Sequence, residues 1–370
     1  MNIYKRLGVK EIINAAESYT IVGGSLMPDE VIEAMSEAAR AFVSIEELHD
    51  AVGKRLAGLT RNEAAMVTGG AAAAMAIAAA ACMAGADGEL AGKLPCAEAG
   101  RNEILLYGCQ NNGFVQAVRL TGAKVIELED RNPDSDRQLR EAITARTACL
   151  LYFVSTQFER HAPPLGDVIS VCRERGVPVI VDAAAQLPPV SNLWAYTEMG
   201  ADLVIFSGGK TLRGPQNTGL VVGRADLIAA CRAHSSPRSS VGRPMKVSKE
   251  SLAGLLAAVE RYVGLDQEEL SRQYESAVET ICAHARRLGL RAERLYPGPT
   301  GQSYPRAALF PDPSCGYTAE SLQAKLKSGD PAVWVGLSED KAAILVNPLH
   351  LQDREIALVC DRLARLVDRR

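Results

Sequence analysis

Aromatic residues make up only 5% of the 370-residue chain, with two tryptophans and five histidines, and neither charge dominates: 41 Lys+Arg stand against 44 Asp+Glu for a net charge of -3. With a sequence pI of about 6.1 there is no global basic field to hold a phosphodiester backbone, so no nucleic-acid partner is expected. Nine cysteines are scattered without a C-x-x-C pair, and no histidine stands at metal-ligand spacing. That excludes a zinc site or a disulfide scaffold, so no metal is expected and the thiols read as reduced, small core residues of a cytoplasmic protein. The N-terminal stretch Met1 to Ala16 carries Lys5, Arg6, Lys10 and Glu11 and lacks the apolar run of a secretory signal. The one long apolar run, Ala71 to Ala86, is mainly alanine, a weak membrane inserter, and reads as a buried helix; no membrane partner is expected. Internal repeats, a G-x-G-x-x-G fingerprint and a P-loop are all missing.

What is present is the composition of an ordinary globular protein: 47% hydrophobic, 23% charged, mean hydropathy -0.01. The length suits a large catalytic-type domain plus a smaller one. From Ala64 to Phe206, short apolar runs alternate with helix-period segments. This repeated βα pattern predicts an α/β fold with a mostly parallel sheet covered on both faces, and Gly219–Val222 adds a strand of antiparallel type. The expected organisation is an N-terminal segment at the active-site entrance (1–28), a large domain (29–246), one connecting helix (247–288) and a small α+β domain (289–370). Arg232 to Pro244, polar and punctuated by Pro and Gly, reads as a functional loop.

Four features bear on chemistry. In Asp202-Leu-Val-Ile-Phe-Ser-Gly-Gly-Lys210 a buried-type strand runs into two glycines and a lysine; Lys210 is either a solvated loop lysine or a Schiff-base nucleophile. Val177 to Asp182 is another such strand, with a carboxylate at its C-terminal tip, where open parallel sheets bind ligands; Asp182 is either a helix cap or the partner of a protonated ring nitrogen. Thr68-Gly69-Gly70-Ala71-Ala72 joins a strand to a helix through small residues, which is a tight turn or a phosphate cradle of free backbone N–H groups. The loop from Gly209 to Gly219 is rich in hydrogen-bond donors, including Arg213 and Gln216, and suits either an anion or a surface turn.

The order of turn, aspartate and lysine, together with Tyr4 to Ala15, Gly23 to Met27, Val181 to Pro189, Phe206 to Lys210, Arg213 to Gln216 and Val241 to Lys246, resembles the fold-type I pyridoxal phosphate (PLP) enzymes. Within them it is similar to the selenocysteine-synthase-like (SelA-like) branch that includes D-glucosaminate-6-phosphate ammonia-lyase. The resemblance implies pyridoxal 5'-phosphate as cofactor, Lys210 as the Schiff-base lysine and Asp182 as the pyridinium partner. It further implies a phosphate site of Thr68, Gly69, Gly70, Ala71, Ala72 and Ser207. Gln110 and Asn111 fall where a side chain covers the ring, Ser155 or Gln157 near the phenolic oxygen, and Gln216 near a phosphate. Arg243, Arg306, Arg213 and Arg160 are candidates for a substrate carboxylate, His161 for a substrate contact, and Arg243 with Lys246 for an anionic substrate end. Where the family commonly has Gly-Thr this chain has Glu17-Ser18; Glu17 either repels an anionic substrate at the entrance or points to solvent. The selenocysteine synthase itself carries an additional N-terminal tRNA-binding region, whereas this sequence starts almost at the common core, so a tRNA substrate is not expected. The implied activity is a PLP-dependent ammonia-lyase acting on a small acidic or sugar-derived amino acid in a homo-oligomer; a racemase and a catalytically silent binding paralogue are the alternatives.

Overall fold

The computed structural model describes residues 2–96, 100–312 and 315–367. Two compact units emerge, residues 27–264 and residues 1–26 with 265–370. In the first, seven strands form one sheet: β2 Ala64–Thr68, β3 Glu103–Tyr107, β4 Lys124–Leu128, β5 Thr147–Phe153, β6 Val179–Asp182, β7 Leu203–Ser207 and β8 Gly219–Gly223, in the spatial order β2-β8-β7-β6-β5-β3-β4. β3 to β7 pair in parallel, whereas β8 runs antiparallel to both β7 and β2. The connection from β7 to β8, residues 208–218, is too short for a crossover helix, so the chain turns straight back. All seven residues of β5 are buried, as expected of a strand covered on both faces.

Against this sheet lies the helix Ala71–Ala84, in which every residue except Ala71, Ala72 and Cys82 is buried. Short side chains let strands and helices approach it on all sides, and no polar face remains because none meets water. Its core includes Met66, Met75, Ile77, Leu106, Leu151, Phe153 and Ile205. No helix among the described residues is long and apolar enough to cross a membrane.

The other unit holds a five-stranded sheet, ordered β1-β11-β12-β10-β9, made of β1 Ile12–Ala15, β9 Arg291–Leu295, β10 Arg306–Phe310, β11 Ala332–Leu337 and β12 Ile344–Val346. Two boundaries differ from the sequence expectation. The N-terminal segment is part of this unit, because β1 pairs in parallel with β11 from Ile12 opposite Ala332. The single connecting helix expected over 247–288 is two helices, Lys249–Gly264 and Gln267–Arg287, one in each unit. Asp266 breaks the run by capping the second helix, accepting from the Glu268 and Glu269 N–H groups.

Gly53, in the helix Ile45–Leu59, sits so close to β2 that a Cβ would lie 2.5 Å from the Ala65 carbonyl oxygen. Gly→Ala inside a helix normally stabilises by about 1 kcal/mol. Here Gly53→Ala is expected to destabilise instead, by roughly 1–3 kcal/mol through overpacking, measured as a lowered urea midpoint at unchanged m-value. A raised midpoint would show that the helix shifts freely.

Candidate active site

The sheet order gathers distant residues at one edge. β2, β5, β6 and β7 end there at Thr68, Phe153, Asp182 and Ser207, and because β8 is reversed its first residue, Gly219, pairs with both Ser207 and Thr68. Asp182 lies between Phe153 and Ile205 in the ladder. This is the carboxyl edge at which open α/β sheets bind ligands.

Asp182 is 8% exposed. Oδ1 accepts from the Ala184 N–H at 2.9 Å, while Oδ2 accepts no hydrogen bond from the described residues. Burial pushes its carboxyl above the ordinary carboxylate value, and the Ala184 N–H and the Lys210 charge pull the other way. Lys210 is therefore close enough to act on it electrostatically. A carboxylate with one oxygen anchored and the other open suits a cationic N–H.

The lysine hangs on a loop that admits only glycine at two points. A Cβ on Gly208 would lie 2.0 Å from Thr218 Oγ1, and one on Gly209 would lie 2.4 Å from Gln216 Cα. The Gly208 N–H donates to the Thr218 carbonyl and the Gly214 N–H to that of Gly208, so the loop folds flat upon itself. Arg213 takes a left-handed conformation at φ 58°, which lets its N–H reach the Lys210 carbonyl at 2.9 Å.

Beside it, Gly70 at φ 117° precedes the helix Ala71–Ala84, whose N-terminus has no side-chain cap and no acid in its first turn. Its first amides are left for an anion. The Thr68 hydroxyl is already engaged, donating to the carbonyls of Gly70 at 3.0 Å and Gly219 at 3.3 Å; it pins the turn. Ser207 is half-buried and its hydroxyl has no partner among the described residues. Ser155 Oγ, just beyond β5, is buried without any hydrogen-bond partner, an orphan that a ligand at this edge would satisfy.

Gln110 takes a different place from the one expected. Gln110 is fully buried and clamps β5, donating to the Phe153 carbonyl at 3.3 Å and accepting from the Phe153 N–H at 3.0 Å; it cannot lie over a ring. Asn111 is exposed and bonded to Glu127 and Arg119. Gln157, Arg160, His161 and Gln216 are exposed. Arg243 and Lys246 are exposed as well, and neither forms an ion pair among the described residues. In the other unit Arg306 is 2% exposed and bonded to Glu17 Oε2 at 2.8 Å, with Asn347 Nδ2 donating to the same oxygen at 3.1 Å. Glu17 thus neither points to solvent nor stands as a free repelling charge. Its role as the counter-ion of a buried guanidinium could not be read from the sequence, because its partner is 289 positions away.

His234 falls within the stretch Arg232 to Pro244 that reads as a loop from the sequence. It does not lie in the polar loop but ends the helix Ala225–His234, fully buried.

A family model for L-seryl-tRNA selenium transferase (SelA) matches residues 12–301. The chain is similar to 5'-C-glycyluridine monooxygenase-decarboxylase from Streptomyces sp, with 36% identity over 90% of this chain and 83% of the relative. It is also similar to D-glucosaminate-6-phosphate ammonia lyase from Salmonella typhimurium, with 30% identity over 99% of this chain and 98% of the relative. A solved structure of D-glucosaminate-6-phosphate ammonia-lyase superposes over 100% of this chain and 98% of its own, at a TM-score of 0.86 and 30% identity. Serine palmitoyltransferase from S. paucimobilis, solved with bound PLP, covers 96% of this chain and 86% of its own at a TM-score of 0.62 and 13% identity, a likeness of fold alone. The fold is that of the fold-type I PLP enzymes, and the edge described above fits that cofactor: free helix amides for a phosphate, the open Asp182 oxygen for a ring N–H, and the Lys210 amine for an aldehyde.

The raised Asp182 pKa makes a stability prediction. The ionised form is disfavoured in the fold, so its cost is absent below the unfolded carboxylate value of about 3.9 and grows as pH rises through the higher folded value. Cofactor-free Asp182→Asn is expected to be more stable than the parent at pH 8 by roughly 1 kcal/mol, with the gap closing near pH 4. Thermal melts at both pH values check this; a less stable variant at pH 8 would show that the carboxylate is compensated.

Proposed function

The chain belongs to the L-seryl-tRNA selenium transferase (SelA) family and is a PLP-dependent enzyme, and within that family we propose that it is a lyase. Its proposed substrate is a small amino acid with an acidic or sugar-derived side chain, converted by loss of a β-hydroxyl and hydrolysis into a 2-oxo acid and ammonia. The observation that carries this reading is the opposition of Asp182 and Lys210 at the edge that also holds the uncapped helix, in a chain similar to the ammonia lyase over nearly its whole length. PLP, when bound, withdraws electron density from the substrate's α-carbon.

The chain's own residues then divide the work. Asp182 Oδ2 holds positive charge on the ring nitrogen, the more firmly for being shielded from water. The Lys210 amine would hold the cofactor's aldehyde, and its Nζ is the group that would take a proton from the substrate's α-carbon. Residues 69–72 and Ser207 hold the phosphate; Ser155 supplies a further hydroxyl. Arg243 and Lys246 offer two unpaired cations to an anionic substrate end. Nine free thiols suit a reducing cytoplasm, and the exposed side chains of Tyr19, Ile21 and Phe42 suit burial in a homo-oligomer.

A second reading is favoured by the 36% identity to the monooxygenase-decarboxylase: oxygen-dependent loss of the α-carboxylate from an amino acid. Incubation with D- and L-amino acids under nitrogen and under air separates the two. Ammonia and a 2-oxo acid formed without oxygen support the lyase; turnover that consumes oxygen and releases carbon dioxide supports the other.

Borohydride reduction of the purified protein followed by mass spectrometry is expected to place the pyridoxyl group on Lys210, with none in Lys210→Ala. A label on another lysine overturns the assignment. Arg243→Ala is expected to raise KM for the true substrate about 10- to 100-fold, the equivalent of one charge-assisted contact, with cofactor content unchanged; an unchanged KM assigns Arg243 elsewhere.

A further inference from the structure

The loop that carries Arg243 and Lys246 is built along the alanine helix rather than hung in solvent. His234, fully buried at the end of its own helix, approaches the Gly85 carbonyl oxygen through Nε2 at 2.8 Å and Ser240 Oγ through Nδ1 at 2.9 Å. A carbonyl only accepts, so Nε2 carries the hydrogen and Nδ1 accepts from the Ser240 hydroxyl. Gly85 caps the C-terminal end of the helix Ala71–Ala84. Further along the loop, the Gly242 N–H donates to the His234 carbonyl at 3.0 Å, and a Cβ on Gly242 would lie 3.0 Å from Ile77 Cγ1, halfway along the same helix. Further still, a Cβ on Gly69 would lie 2.8 Å from the Met245 carbonyl oxygen and 3.4 Å from that of Lys246. The loop therefore starts at the C-terminal end of the helix and finishes at the glycine turn before its N-terminal end, about 20 Å away at 1.5 Å per residue.

We propose that His234 is the positioning residue of this loop: its two-sided hydrogen bond ties the loop to the far end of the helix, so that Arg243 and Lys246 stand beside the glycine turn as an anion clamp. This rests on the reading that Arg243 binds an anion. Neither partner of His234 touches the cofactor edge, so its effect is exerted through the loop alone. Two substitutions break the tie at different points. Ser240→Ala removes only the half-buried loop end of the tie and leaves the buried ring in place; His234→Gln keeps a donor for Gly85 and leaves no acceptor at the Nδ1 position that faces Ser240.

In the PLP-loaded protein, both variants are expected to speed amide exchange at residues 240–246 at least tenfold while exchange in β5 stays unchanged. Both are expected to weaken binding of inorganic phosphate, measured by calorimetry, about tenfold, the worth of one charge-assisted contact. Unchanged exchange in the loop overturns the inference, as does faster exchange with unchanged phosphate affinity. Arg243→Ala tests the underlying reading separately: if it leaves phosphate affinity unchanged while the His234 and Ser240 variants weaken it, the reading of Arg243 fails and His234 positions other donors of the same loop.

Discussion

A buried carboxylate is the constraint on which the large unit depends. Asp182 is shielded on a central strand, and among the described residues the Ala184 N–H and the charge of Lys210 offset that burial in part. An ionised group so placed is costly unless it is paired. The surrounding devices set where Lys210 stands relative to that carboxylate: a β7–β8 connection in which glycine is obligatory, a reversed β8 that closes the loop back onto the sheet, and Thr68 spending its hydroxyl on the turn beside it. Strain or mispacking in any of them would move the lysine, and a carboxylate left alone would take a proton instead of holding charge.

The alanine helix serves two ends. Its small side chains allow burial on every side, which fixes its axis against the sheet, and its uncapped N-terminus leaves amides for an anion. The same smallness lets the loop after His234 lie flat along it, through Gly242 at Ile77 and Met245 at Gly69. Packing and ligand chemistry thus use one feature, the absence of side-chain bulk. This explains why a run of alanines with no amphipathic face is helical here: burial removes the need for a polar side.

In the other unit the pair of buried Arg306 and half-buried Glu17 does for the N-terminal segment what the ladder does for strands. Arg306 is also bonded to the Tyr304 hydroxyl and lies over its ring, and Ser18 Oγ meets His350 Nε2 at 2.6 Å. Residues 14–18 are thereby held beside β12, with the Asn347 N–H donating to the Ala15 carbonyl. Removing Glu17 would leave the Arg306 guanidinium, 2% exposed, without its counter-ion.

Local chemistry is what the sequence determined by itself. Strands β2 to β8 and most of the helices follow from runs of apolar residues and their flanking glycines, and Asp182 and Lys210 stood out because a charge at the tip of a buried strand has few other uses. β8 was legible as one more apolar run, and the short connection before it accounts for its antiparallel sense. Strands β1 and β9 were not: the first is four residues long, too short for its alternation to stand out, and the second, Arg-Ala-Glu-Arg-Leu, is an edge strand exposed along most of its length that lacks the pattern burial imposes. The break at Asp266 hid inside a continuous helical period. The partners of Gln110, Glu17 and His234 were decided only by the tertiary structure. Each is a polar side chain whose job is set by which carbonyl, carboxylate or guanidinium the folded chain brings within hydrogen-bond reach, and one-dimensional spacing carries no record of that.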